Sequence, residues 1–351
     1  MNWTLAQKIA DAVLYEGYLL YPYRPSAIKN RQRFNFGVVY PRSYSERQSG
    51  FDPWMMHTEC LVQTAADAVV QVKVRCLQLS LRTVAESAPR NDLLMPSSDD
   101  YRLVNRLVVG ERVFLPCQEA IEREILLPPF ELSGNAQPFA QEFSFPASQT
   151  REELRGKGGN VVGVVIRDLQ VTNGAVDLSI TPLGGDLRRV AVTIRNTTGL
   201  ESSTDNREAV LMHSMLSTHS ILCVEGGCFV SLLEPSQDLA AVAAECKNIS
   251  TWPVLVGEQG HKDVMLSSPI ILYDYPQIAP ESPGDLFDGT EIDEILSLRI
   301  MTMTDEEKRE VREADPRGEA LLERTESLPP EQLMKLHGVL RSLRPSEQKA
   351  S

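Results

Sequence analysis

An alternating stretch from Val69 to Ser80 is the strongest constraint on how this chain folds. Apolar residues occupy one parity and polar residues the other: Val70, Val72, Val74 and Cys76 against Gln71, Lys73 and Arg75. A period of two is typical of a β-strand with one buried and one half-solvated face. After Cys76 the apolar residues change parity, at Leu77 and Leu79, which predicts a bulge or a strand end there.

Further apolar runs continue the β pattern along the chain. They span residues 108–115, 161–166, 175–180 and 189–196, while residues 82–104 and 131–160 are polar and predict loops or insertions. Thr172-Asn173-Gly174 predicts a tight turn between two runs, and Glu225-Gly226-Gly227 predicts a hairpin joining residues 221–224 to 229–233. Short strands separated by turn residues predict a mainly β fold, an antiparallel β-sandwich or a barrel-like core.

Helical patterns flank this β-rich part, so the predicted fold class is α+β overall. Residues 4–20 repeat apolar side chains at helical spacing, and a Pro-punctuated linker near 275–284 leads to a helical tail. The predicted organisation has three parts. Residues 1–30 form an N-terminal helix with a basic and aromatic segment, residues 31–273 a β-rich core domain, and residues 274–351 a linker with an acidic helical tail.

Charge is distributed unevenly over a net of −13. Residues 1–50 hold seven Lys or Arg against three Asp or Glu, whereas residues 281–351 hold ten against seventeen. A strongly acidic chain repels a long polyanion, so no nucleic-acid partner is expected.

The basic N-terminal part also concentrates tyrosines within residues 15–47. Guanidinium and ammonium groups attract carboxylates or phosphates, and aromatic rings stack on cations or bases. Three interpretations stay open: tyrosines that fix an irregular segment to the core, a surface for a protein partner, or a nucleotide or single-strand site. The protein partner is our functional prediction, with these binding residues: Tyr18, Tyr21, Tyr23, Arg24, Lys29, Arg31 and Arg33.

A second candidate site is a series of imidazole and thiol groups at His213, His219, Cys223 and Cys228. Such groups bind zinc and other transition metals, usually from positions two to five residues apart. The spacing fits no zinc-finger signature, and small Cys side chains in strands are usually packing residues. A metal-binding or thiol-redox protein built on this region is therefore the alternative, and no metal or cofactor is predicted.

No catalytic motif stands out, and we predict that the chain is not an enzyme. The sequence contains no Gly-x-Ser-x-Gly elbow and no His-Glu-x-x-His helix, and its five histidines occupy no recognisable triad context. The N-terminus has no long apolar stretch of the secretory type, no run is long enough to span a membrane, and the cysteines are scattered. These features predict a cytoplasmic protein with reduced thiols.

Two blocks of sequence resemble a family of uncharacterised bacterial proteins. The first runs from Ala10 to Arg24 (ADAVLYEGYLLYPYR) and the second from Ser282 to Leu296 (SPGDLFDGTEIDEIL). Genes of that family tend to lie in nickel–iron (NiFe) hydrogenase operons of soil bacteria, and the family has no established catalytic residues to transfer. The resemblance implies an accessory role in hydrogenase assembly or operation. Because residues 213–228 form only a weak nickel-handling cluster, it favours a scaffold or chaperone over metal delivery, with a hydrogenase subunit or maturation factor as the partner.

Overall fold

A computed structural model describes residues 3–14, 37–49, 51–87, 101–132, 137–200 and 206–277, with isolated residues between 303 and 327. The helices are α1 (Trp3–Leu14), α2 (Arg42–Arg47), α3 (Arg207–Leu211) and α4 (Ala240–Ala244). The strands are β1 (Met55–Ser87), β2 (Tyr101–Val104), β3 (Leu107–Val109), β4 (Arg112–Phe114), β5 (Cys117–Leu126), β6 (Phe130–Glu131), β7 (Phe139–Phe145), β8 (Ser148–Arg155), β9 (Val161–Leu169), β10 (Thr172–Gly184), β11 (Leu187–Asn196), β12 (Leu216–Phe229), β13 (Trp252–Leu255) and β14 (Val264–Ser268).

The long strand β1 organises a 12-stranded antiparallel sheet. One edge of β1 pairs in turn with β11, β6, β5 and β2, and the other edge pairs with β12 and then β9. Outside these lie β10 and β7 beyond β11, β14 and β13 beyond β12, and β8 beyond β9. The β3–β4 hairpin forms a separate two-stranded sheet. The prediction of a mainly β, α+β fold is confirmed.

The sheet curls so that one face encloses the largest apolar cluster, and we call this the inner face. It receives Val70, Val72, Val74 and Cys76 of β1, as the alternation predicted. Residues of β10, β11 and β12 pack against them, including Val176, Val192 and Leu222. The predicted buried parity of this stretch is therefore confirmed.

The change of apolar parity after Cys76 is not caused by the end of a strand, because β1 continues to Ser87. A bulge does lie here, in the pairing with β12, where Cys76 is opposite both Ser217 and Thr218, and Ser217 has φ 50°. Pairing of β1 with β5 is nevertheless uninterrupted from residue 73 to 82, so the alternation of β1 persists. Burial of apolar side chains simply passes to the outer face, where Leu77 and Leu79 form a second cluster with Leu14, Val38, Tyr40, Tyr44, Val210, Leu211 and Leu216.

Both turn predictions based on glycine were wrong. Thr172-Asn173-Gly174 begins β10, and β9 and β10 are not paired with each other; a Cβ at Gly174 would meet the Phe143 ring at 2.2 Å. Gly226 and Gly227 lie inside β12, opposite the irregular part of β1 near residues 64–69. A Cβ on Gly227 would lie 2.8 Å from the Gln63 carbonyl oxygen. These glycines permit close approach of neighbouring groups, which is a second reason for glycine in strands.

Parts of the two polar stretches predicted as loops are strands. Residues 139–145 and 148–155 form β7 and β8, and residues 101–104 form β2. β8 is polar because it is an outer strand with nearly every residue exposed. All described strands fall between Met55 and Ser268, inside the range predicted for the core domain. Within the described ranges, no helix combines the length and apolarity needed to cross a bilayer.

Candidate partner-binding region

The predicted partner-binding residues, from Tyr18 to Arg33, lie outside the described residues, as does most of the predicted helical tail. The structure does describe both flanks of the partner-binding segment. One flank is α1, which ends at Leu14, and the other begins at Gly37. The attachment of these two flanks fixes the positions at which the segment leaves the described fold and rejoins it.

The first flank, α1, lies on the outer face of β12 and β14. Ala6, Ala10 and Val13 repeat at helical spacing and pack on a cluster that includes Ile221 and Leu266. At the end of the helix, the Ser217 hydroxyl donates a hydrogen bond to the Val13 carbonyl oxygen at 2.9 Å. The C-terminal end of α1 is therefore attached to the bulge of β12.

The second flank attaches to the same part of β12. The Thr218 amide donates to the Gly37 carbonyl oxygen at 3.0 Å, and Val39 and Met215 exchange backbone hydrogen bonds of 2.7 and 3.2 Å. Gly37 has φ 52°, and a Cβ there would lie 2.5 Å from Cγ of Pro269. Only glycine fits this conformation and this space. Residues 215–218, which we call the anchor residues, thus hold both flanks of the predicted partner-binding segment.

The described end of the aromatic stretch shows tyrosines that fix the chain to the core. Tyr40 and Tyr44 are buried, with ring centroids 5.5 Å apart. Arg207 donates a 2.8 Å hydrogen bond to the Tyr40 hydroxyl oxygen, and the Tyr44 hydroxyl donates to Asp52 at 3.2 Å. Burial raises the pKa of both tyrosines above the usual value. For residues 37–47, therefore, the tyrosines serve the fold.

The alternative site at residues 213–228 is spread along the fold. Cys223 and Cys228 lie opposite Gln71 and Gln63 of β1, so they follow one another along β12 and do not face each other across a hairpin. Five residues of strand correspond to roughly 16 Å. Cys223 is buried beneath α1, whereas Cys228 is exposed. Among the residues that the structure describes, no group of three or more His, Cys, Asp and Glu could hold a metal ion.

The two histidines of that region each bond to backbone. His213 Nδ1 lies 3.0 Å from the Val171 carbonyl oxygen, and His219 Nδ1 lies 2.8 Å from that of Ser217. His219 is fully buried, and this burial lowers its pKa to about 3. Burial likewise raises the pKa of Cys223 to about 12. At neutral pH the side chains of His219 and Cys223 are therefore uncharged and belong to the core.

A buried charge near α1 was missed by the sequence reading. Arg75 was assigned to a half-solvated face, but its side chain is only 5% exposed because α1 covers this part of β1. Its guanidinium contacts Asp11 of α1 at 2.7 Å and Glu122 of β5 at 3.4 Å. The ion pairs join the first flank of the partner-binding segment to two strands. The alternating pattern does not predict this burial, because it places a solvated arginine and a helix-covered arginine at the same kind of position.

Comparisons with known proteins add no family to these observations. No protein-family model matches the chain, and no curated protein sequence matches it. Among solved structures, the secretin InvG of the Salmonella SPI-1 type III secretion injectisome is similar at 11% identity, over 47% of this chain and 71% of that one. Its TM-score is 0.09, which supports no argument about fold or function.

Proposed function

We propose that this chain is a non-enzymatic accessory protein that acts in the cytoplasm by binding another protein. Its partner-binding residues are Tyr18, Tyr21, Tyr23, Arg24, Lys29, Arg31 and Arg33. The partner is a subunit or a maturation factor of a NiFe hydrogenase, as the sequence resemblance implies. The role is that of a scaffold or an assembly chaperone.

The observation that carries this proposal is the attachment of both segment flanks to the anchor residues. Ser217 holds Val13, and Thr218 holds Gly37. A segment whose two ends are fixed at one place on a rigid sheet is a common way to present binding residues. The core supplies that rigidity, since Met215 and Leu216 are fully buried beside the attachment points.

Charge gives the proposal its expected partner chemistry. The residues proposed to bind include four cations, while the whole chain has a net charge of −13. A partner that presents carboxylates would be attracted to the segment and repelled by most of the remaining surface. Such complementarity favours one orientation of binding and suppresses others.

Affinity capture from cells that express the hydrogenase tests this function. The full chain should recover hydrogenase subunits, and the double variant Arg24→Glu and Arg31→Glu should recover at least fivefold less, since two attractions become repulsions. The matched control is Arg102→Glu with Arg112→Glu, which makes the same charge change at two exposed arginines of β2 and β4. Equal recovery by both double variants would remove the segment as the interface, and no recovery by the unmodified chain would refute the hydrogenase partner.

A further inference from the structure

The outer strands of the sheet differ in how their free edges are protected. Among the described strands of this sheet, those that pair with a single neighbour are β2, β5, β6, β7, β8 and β13. Two of them, β2 and β6, are only four and two residues long, and a very short edge strand offers little to pair with. An exposed strand edge offers unpaired backbone donors and acceptors to other chains, and natural proteins protect such edges with charges or proline. β13 contains Pro253, and β8 and β5 each carry four charged side chains: Arg151, Glu152, Glu153 and Arg155 in β8, and Glu119, Glu122, Arg123 and Glu124 in β5.

β7 lacks that protection. Its sequence, FAQEFSF, has one charged residue, three phenylalanines and no proline. It pairs with β10 from Phe139 to Phe145, which leaves its other edge without a partner strand among the described residues. Of the outer strands, β7 is therefore the one whose length and composition together permit pairing with another chain.

The two faces of β7 have different chemistry. Phe139 and Phe143 are half-buried against the inner cluster, and Phe139 contacts Phe130 with ring centroids 6.3 Å apart. The other face is exposed and carries Ala140, Glu142 and Ser144. Glu142 forms no ion pair with any residue that the structure describes. An added strand would meet apolar rings on one side and an unpaired carboxylate on the other.

We propose that the free edge of β7 binds an extended segment of a partner protein in which apolar and basic residues alternate. Backbone pairing would supply affinity, as in other cases where a peptide extends a sheet. Apolar side chains of the segment would cover Phe139 and Phe143, and its basic side chains would lie beside Glu142. This rests on the proposed function in one respect, since it names the chemistry of the protein segment that such an accessory protein captures.

Binding of a labelled peptide tests the proposal without a hydrogenase. The probe is a fluorescent ten-residue peptide of alternating valine and lysine, titrated with the full chain and followed by anisotropy. We expect saturable binding, and binding at least fivefold weaker for the peptide of alternating valine and glutamate. Equal binding of the two peptides, or binding of neither, would overturn the proposal.

Charge reversal identifies the edge. Glu142→Lys should weaken binding of the valine–lysine peptide about fivefold, because one cross-strand attraction becomes a repulsion. Glu111→Lys is the matched control, with the same charge change at an exposed turn between β3 and β4. If both variants bind the peptide equally well, β7 is not the site.

Proline separates pairing from folding. Successive backbone N–H groups of a strand point to opposite edges, so Ala140→Pro and Gln141→Pro remove one donor toward β10 and one toward the free edge. One variant should unfold at lower urea, and the other should keep its stability and lose peptide binding. Retained peptide binding in the stable variant would contradict the proposal. So would a dimer of the unmodified chain that the same substitution dissociates, because the β7 edge would then pair with a second copy. Peptide binding with no hydrogenase recovery would refute the proposed function alone.

Discussion

Two stretches of β1 bury their apolar side chains on opposite faces of the same strand. From Val70 to Cys76 the apolar residues face inward, to the largest cluster. At Leu77 and Leu79 they face outward, where α3 and residues 38–44 cover them. The inner residues opposite this second stretch, Gln78 and Ser80, are also buried but polar.

The difference shows that two properties of a strand have separate causes: the alternation of its side chains, and the choice of which face is buried and apolar. Backbone geometry fixes the period of two, and it persists through the bulge beside Cys76. Which face is apolar depends on what the rest of the chain lays over it. Here the second stretch packs against Leu14 and Val38, one from each flank of the predicted partner-binding segment, and against Leu216 of the anchor residues. One cluster therefore stabilises both this part of β1 and the two flanks.

The largest effect should come from emptying the outer cluster. Leu79 is fully buried, so Leu79→Ala should lower the free energy of unfolding by about 3 kcal/mol, from lost transfer energy and a residual cavity. Leu81→Ala is the matched control on the same face, where the side chain is 39% exposed and the cost should stay below about 1 kcal/mol. Urea denaturation measures both, and equal losses would show that the two positions are equally covered.

A pH series tests whether the outer face beside the bulge is dry. His219 lies opposite Arg75, and its burial lowers its pKa from 6.5 to about 3. The unfolded chain then binds a proton that the folded chain refuses, so stability is full above pH 6.5 and falls as pH drops toward 3. Between pH 7 and 5 the unmodified chain should lose about 2 kcal/mol more than His219→Asn, which keeps a donor for the Ser217 carbonyl. Parallel pH profiles for the two proteins would contradict a dry site.

The smallest expected effect concerns the polar inner residues of the second stretch. Gln78 donates to the Gln170 carbonyl oxygen at 2.7 Å and accepts from Arg123 Nε at 2.9 Å. Gln78→Ala should cost about 1 kcal/mol, because it removes buried hydrogen bonds. The control Gln149→Ala removes an exposed amide bond to Asp168 and should cost less. Thermal unfolding would distinguish them, and a larger loss at Gln149 would reverse the assignment.

The sequence predicted the strand-rich class and the inner parity of β1, because apolar period two is a direct signal of a half-buried strand. It did not predict the connections. Gly174 and Gly227 resembled turn residues, yet they allow a phenylalanine ring and a carbonyl oxygen to approach. The requirement for glycine at these positions comes from neighbouring strands that are distant in sequence, so a local sequence pattern does not predict it.

The candidate site was predictable to a smaller degree. The tyrosine and arginine composition predicts a partner-binding segment, and this stays a prediction. The attachment of its flanks was not predictable, because it depends on residues 215–218, about two hundred positions along the chain. Tyr40 and Tyr44 share the composition of that segment and yet are core residues. Composition alone does not distinguish a tyrosine that fixes a chain from one that contacts a partner.

The anchor residues carry an evolutionary consequence. The Ser217 hydroxyl holds the backbone of Val13, and the Thr218 amide holds the backbone of Gly37. Neither hydrogen bond involves a side chain of residues 14–36. Substitution, lengthening or shortening of the intervening sequence therefore leaves the attachment chemistry intact, at a small entropic cost. If the segment binds a partner as proposed, its recognition can diversify while the sheet is inherited unchanged, so that related chains can exchange partners without exchanging architecture.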